Sequence, residues 1–271
     1  PDRDSPMGEA ERRWTESARN AVEGLNAKYG GGVYLFFRRP AFHAVDERYM
    51  GWERKRGAIA QLIRYMRGQQ VDFLRVVGSS RFLPRVKYII ALDADTKLQM
   101  DAAAELVAIA EHPLNRPVVD RGRGVVTAGY GIIAPRIETD IRSAGRTVFS
   151  RIMTGVGGVS AYDTVSGNFY ADCFSRGIFA GKGLIDVEAF LDCMEGALPR
   201  ERVLSHDVIE GGFLRCAFAS DVAATDGCPA AADAWSMRAH RWIRGDVQNI
   251  LWLFGRIPDE RGMRRNPFDA L

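Results

Sequence analysis

At 271 residues, 46% of them hydrophobic and 26% charged, the chain is long enough to bury a sizeable core and too mixed in composition to be disordered or fibrous. Its 37 basic residues stand against 34 acidic ones, a net charge of only +3, which excludes the strong positive field of a nucleic-acid binder. No run approaches the ~18 to 20 apolar residues that a bilayer crossing needs, and no signal peptide is present, so the chain itself is expected not to span a membrane.

In chain order, a polar opening, P-D-R-D-S-P, precedes helical spacing over residues 9–29, with Trp14, Ala18, Val22 and Leu25 on one face. Gly30 to Gly32 end that helix. Strands are predicted over 33–38 and 73–77, separated by a helix over 55–67. The charged cluster Trp52, Glu53, Arg54 and Arg56 precedes that helix and reads as a salt-bridged turn as readily as a ligand-facing one. Residues 86–92 form the most apolar strand, followed by a helix over 101–110. Strands over 125–133 and 168–171, helices over 186–194 and 207–216, and a Pro-free helical stretch over 231–254 complete the pattern. Strands alternating with helices predict an α/β fold with a mostly parallel central sheet covered on both faces, as a single domain over 1–271.

Three clusters carry chemistry. The strand over 86–92 runs straight into Asp93 and Asp95, as V-K-Y-I-I-A-L-D-A-D-T. A strand that apolar sits mid-sheet and delivers both acids to its carboxyl end, where open α/β sheets bind ligands. Two hard oxygen donors one residue apart suit Mg2+ or Mn2+ bridging to substrate phosphates, although Asp and Thr are also ordinary turn formers. The segment L-S-H-D-V-I-E-G places Ser205 as an N-cap ahead of Asp207 and Glu210, and an acid in a first helical turn can be there merely to cap it. Arg238, Arg241 and Trp242 fall at i, i+3 and i+4 and share one helix face. Two guanidiniums and an indole there suit a phosphate and a sugar ring, or simply a solvated basic face over a core Trp.

Lesser signals accompany them. Gly181 and Gly183 flank Lys182, which either brings a cation close to phosphate or makes an ordinary turn. Asn168, Tyr170 and Asp172 alternate as on one strand face and line an acceptor groove or give half-buried sheet polarity. Arg261, Arg264 and Arg265 suit an anionic membrane surface or a solvated tail. Cys173, Cys193, Cys216 and Cys228 have neither C-x-x-C pairing nor a His at zinc spacing, and read as reduced, mostly buried thiols.

The series D-A-D-T, S-H-D and R-x-x-R-W resembles that of membrane-associated inverting glycosyltransferases of the GT-A fold. With M-G-W-E-R-K-R-G (50–57), Gly181-Lys-Gly183 and Asp186, and the run from Arg241 to Asp246, the chain resembles the glycosyltransferase domain of cyclic β-1,2-glucan synthases over residues 33–246. The resemblance implies inverting transfer of glucose from UDP-glucose to a growing β-1,2-glucan acceptor. Asp93 and Asp95 match the metal and diphosphate motif, and Asp207 matches the general base, in preference to Glu210 almost a turn farther on. Arg238, Arg241 and Trp242 match the motif facing the diphosphate and acceptor channel, with Arg238 in place of the commoner Gln.

Members of this fold normally open with a strand that holds the uridine, whereas this chain opens into a helix. It is therefore expected to be a segment lacking its first strand, weakly active or inactive alone. Its parent is expected at the cytoplasmic face of the bacterial inner membrane, attached through segments outside this chain. A β-1,4 or β-1,3 glycan synthase of the same fold, another metal-phosphate enzyme, and a non-catalytic glycan-binding fragment are the alternatives.

Overall fold

In the computed structural model, which describes residues 8–44, 47–154, 173–203 and 206–268, the helix expected at the start is α1 (Glu9–Tyr29). Its bounds match the spacing, but its inward face does not. Trp14 is 62% and Leu25 42% exposed, while Thr15 is buried. Thr15 can be buried because its hydroxyl donates back to the Glu11 carbonyl at 2.7 Å, leaving no polar group unsatisfied. Gly30 ends α1 in the left-handed region at φ 77°, and the Asn26 amide fixes the exit by exchanging two hydrogen bonds with the Val33 backbone at 2.8 and 2.9 Å.

The packing separates the chain into two units, Pro1–Val86 and Lys87–Leu271. In the first, β1 (Leu35–Arg38), the hairpin of β2 (Pro40–His43) and β3 (Arg48–Gly51), α2 (Arg54–Met66) and β4 (Phe73–Val77) follow α1. β1 pairs antiparallel with β4, and Phe36, Tyr65 and Phe73 close on one another with ring centroids 5.3 to 5.5 Å apart. The charged cluster before α2 is a salt-bridged turn. Glu53 and Arg56, both buried, pair at 2.6 Å. Arg38 donates to Gln61 at 2.5 Å, to the Arg54 carbonyl at 2.6 Å and to the Trp52 carbonyl, and burial draws its pKa down to about 10. A Cβ on Gly57 would sit 2.0 Å from the Trp52 carbonyl oxygen, so only glycine fits there.

The second unit begins with β5 (Tyr88–Ala91), β6 (Lys97–Leu98) and α3 (Ala102–Glu111), then β7 (Val118–Asp120), β8 (Val125–Ala128) and β9 (Ile132–Thr139). Short helices α4 (Ile141–Ala144) and α5 (Val148–Met153) follow, then β10 (Gly183–Asp186), α6 (Val187–Met194), α7 (Asp207–Leu214) and β11 (Cys216–Asp226). The unit closes with α8 (Ala232–Gln248), a 3-10 helix over Asn249–Leu253, and the hairpin of β12 (Arg256–Asp259) and β13 (Gly262–Arg265).

The main sheet has the order β5-β10-β9-β11-β6 and is mixed rather than mostly parallel. Only β9 and β11 pair in parallel, because β10 runs against both β5 and β9, and β6 runs against β11. Apolar runs reveal strands but neither their directions nor their places: β5, expected mid-sheet, is an outer strand of the sheet among the described residues. The strand expected over 125–133 is two strands: Gly129 turns at φ 63°, and a Cβ there would meet the Arg116 carbonyl oxygen at 1.9 Å. β8 therefore pairs with β7 outside the main sheet. The helix expected over 207–216 stops at Leu214, and Arg215, at φ 52°, starts the long, Ala-rich β11. The strand expected over 168–171, with Asn168, Tyr170 and Asp172, lies outside the described residues.

The core sits where α3 lies on the sheet: Ala102, Leu106 and Ala110 against Ile133, Leu184, Ala219 and Val222. Each large aliphatic side chain buried there stabilises the unit by about 1.5–3 kcal/mol before conformational entropy is subtracted. At the far end of the chain Phe268 packs edge-on against Phe213 of α7, with centroids 4.9 Å apart, and touches the place a Cβ on Gly212 would take. The Arg264 guanidinium lies over the Phe213 ring, 5.1 Å from its centroid. Among the described residues no helix is long and apolar enough to cross a membrane.

Candidate active site

β5, β9 and β11 run one way, so Asp93 and Asp226 both follow the carboxyl ends of strands, while β10 brings its amino end to the same edge. The register fixes this, because Gly183 at the start of β10 stands opposite Ala91 at the end of β5. Lys182 precedes Gly183 and reaches both acids: its Nζ lies 2.6 Å from Asp226 Oδ2 and 3.4 Å from Asp93 Oδ2. Burial alone would lower the Lys182 pKa, but Asp226 and Asp93 outweigh it and raise it above the ordinary lysine value. Thr96 closes the turn that carries Asp93 and Asp95. Its hydroxyl donates to Asp226 Oδ1 at 2.5 Å and accepts from the Asp93 backbone at 3.3 Å. Asp95 is exposed, with its carboxylate 3.3 Å from the position a Cβ on Gly227 would occupy.

Asp207 reaches this edge from α7. Its carboxylate lies against Gly181, with Oδ2 3.0 Å from where a Cβ would stand, and Gly181 is at φ 79°. Gly181 is thus required twice over, by its left-handed backbone and by the acid beside it. The N-cap position of α7 is His206, while Ser205 lies outside the described residues. His206 Nδ1 lies 3.4 Å from Asp207 Oδ1 and 3.3 Å from Glu210 Oε2. Glu210 is fully buried, so no acceptor can approach it, whereas the Asp207 side chain is 31% exposed.

The linker from β11 into α8 is tied down by Ser143 and Thr147. The Cys228 N–H donates to Ser143 Oγ at 3.0 Å and Thr147 Oγ1 donates to the Ala230 carbonyl at 2.8 Å. Burial pushes the Cys228 thiol up and Arg238 pulls it back, so the Arg238 guanidinium is within electrostatic reach of the residue next to Gly227. That guanidinium sits 4.5 Å from the Trp242 ring centroid. Trp242 is 38% exposed and Arg241 is exposed, so this face is a surface and not a core.

No protein-family model matches the chain. Over 245 residues, 88% of its length, it is 34% identical to the cyclic beta-(1,2)-glucan synthase NdvB of Rhizobium meliloti (strain 1021). The chain is a relative of that synthase. It spans 9% of the synthase's length.

Two partners at the site have no signal in the sequence pattern. Asp226 ends an Ala-rich strand that carries little periodicity, and its link to Lys182 exists only through the sheet register. The His206–Glu210 pair is at i, i+4, a spacing legible in advance, but the burial that makes it consequential is tertiary. Four carboxylates, Asp93, Asp95, Asp207 and Asp226, reach this edge beside the Lys182 ammonium, an excess of hard oxygen donors of the kind that a divalent cation takes.

Proposed function

We propose that the chain is the catalytic domain of an inverting glucosyltransferase of GT-A type, which uses UDP-glucose to extend a β-1,2-glucan. The observation that carries this reading is the meeting of Asp207, through Gly181, with the Asp93–Lys182–Asp226 network at one edge of the sheet. The relationship to a cyclic β-(1,2)-glucan synthase supports the choice of product and linkage.

In this reading Asp207 takes the proton of the acceptor 2-hydroxyl as its oxygen attacks C1 of the glucose from the face opposite the diphosphate. The C1–oxygen bond to the diphosphate breaks, UDP leaves with the electron pair, and the configuration at C1 inverts. Asp93 and Asp95 would hold Mg2+ or Mn2+, which when bound would neutralise charge on the diphosphate. Arg238 and Arg241 stabilise the leaving diphosphate, and Trp242 offers a flat apolar wall to the acceptor sugar. Lys182 keeps Asp93 and Asp226 in register beneath them. The parent protein works at the cytoplasmic face of the inner membrane, attached through segments outside this chain.

The test uses the full-length protein with UDP-glucose, Mg2+ or Mn2+ and a short β-1,2-glucan primer. Elongation with new β-1,2 linkages, and metal-dependent UDP binding that Asp95→Ala abolishes, are the expected results. Release of glucose 1-phosphate or inorganic phosphate without elongation would assign a different chemistry, a β-1,4 or β-1,3 product would reassign the linkage, and metal-independent glycan binding without turnover would make the chain a binding module.

A further inference from the structure

Glu210 has no part in the chemistry above, yet it is a carboxyl group at zero exposure, and neither of its oxygens accepts a hydrogen bond among the described residues. An isolated carboxylate in such a place is costly, and a neighbouring cation offsets that cost. The group in position to do so is His206, one turn earlier on the same helix, whose Nδ1 stands 3.3 Å from Glu210 Oε2. The same nitrogen stands 3.4 Å from Asp207 Oδ1, and the three donor atoms lie within 4.8 Å of one another.

We infer that Glu210 and His206 form a positioning relay for Asp207. The buried carboxylate holds the imidazole as a cation with its Nδ1–H directed between the two acids. That N–H in turn attracts Asp207 Oδ1, 3.4 Å away, which leaves Oδ2 to meet the acceptor hydroxyl, while both oxygens rest against Gly181. The charge balance follows from the arrangement: Glu210 neutralises the imidazolium, so Asp207, the exposed member, keeps its own negative charge. A pair of fixed, buried groups behind a reacting carboxylate also removes its rotational freedom, which a base on the first turn of a helix would otherwise retain. This inference rests on the reading of Asp207 as the base.

Its test is a double-mutant cycle in the full-length protein, with UDP-glucose and a β-1,2-glucan primer as substrates. Glu210→Gln keeps the volume and removes the charge. It is expected to lower kcat roughly 10- to 100-fold, a part of the ~10² to 10⁴ that general-base assistance is worth, with the KM for UDP-glucose within about twofold of wild type. In an Asp207→Asn background the same change is expected to cost nothing further, because Glu210 acts only through Asp207. His206→Gln carries the same test if Glu210→Gln does not fold. An unchanged kcat in Glu210→Gln, or a loss that multiplies with that of Asp207→Asn, would overturn the relay. So would a stoichiometric transition metal in the purified protein that His206→Gln releases, since the three side chains would then be its ligands. Full turnover in Asp207→Asn alone is a different outcome: it removes the base reading itself.

Discussion

Replacing Lys182 with methionine separates a structural ion pair from a surface one. The Lys182 and Asp226 side chains are only 11% and 13% exposed and pair at 2.6 Å, whereas Asp93, at 3.4 Å, is 42% exposed and contributes little. Lys182→Met leaves Asp226 largely out of water with its cation gone, a type of change that costs ~3–5 kcal/mol when burial is complete. With the residual exposure we take about 3 kcal/mol, which for a chain of this size is a fall in Tm of roughly 6–12 °C. The pH dependence has a definite sign. A lysine whose folded pKa is raised stabilises fully below its ordinary value of 10.5 and loses that contribution as the pH climbs through the raised value. The gap between wild type and Lys182→Met should therefore be constant through neutral pH and close only in strong alkali. The assay is thermal unfolding of the 271-residue chain, followed by circular dichroism from pH 6 to pH 11, with Lys182→Met/Asp226→Leu as the compensated control. A Tm for Lys182→Met within about 1 °C of wild type at pH 7 would refute the argument, because a buried pair cannot be broken that cheaply.

Three further outcomes follow from the geometry. Gly181→Ala adds a Cβ 3.0 Å from Asp207 Oδ2 on a backbone at φ 79°; it should lower stability by about 1–2 kcal/mol and reduce turnover of the full-length protein, and unaltered initial rates would mean that the place of Asp207 is immaterial. Asp186 caps α6 by accepting from the Ala189 N–H at 2.9 Å, but burial raises its pKa, so its ionised form costs stability that is regained as the pH falls. Asp186→Asn, which keeps the cap, should be at least as stable as wild type at pH 7, with the advantage vanishing in acid, and Asp186→Ala should lose about 1 kcal/mol in denaturant titration. Burial pushes the Cys193 and Cys216 thiols up to about 12, while Cys173 is exposed; peptide mapping after alkylation at pH 8 should find Cys173 modified and the other two protected until denaturant is added.

The bounds of α1 and β4 are legible from periodicity and from the glycines that follow them, since local spacing and left-handed backbone are local properties. The inward face of α1 is not, because burying Thr15 in place of Trp14 depends on what the helix meets. The existence of both β10 and β11 was hidden for a related reason. Ala217, Ala219, Ala223 and Ala224 have weak strand propensity, and the register with β9 slips between Ala219 and Ala223, so the strand exists by pairing and not by pattern. At the site, the adjacency of Asp93 and Asp95 and the start of α7 at Asp207 were readable, as was the shared face of Arg238 and Trp242. Asp226 and the enclosure of Glu210 were not, as each depends on chain segments that only the folded sheet brings together.

The contact of Phe268 with Gly212 and Phe213 ties the segment after β13 to the helix that carries Asp207. α7 is only eight residues long and carries Asp207 at its first position, and an aromatic wedge from the tail, with Arg264 also over the Phe213 ring, clamps its opposite end. Clipping the polypeptide before Asn266 would let that short rod rock about its middle, and the Asp207 carboxylate would swing at the tip.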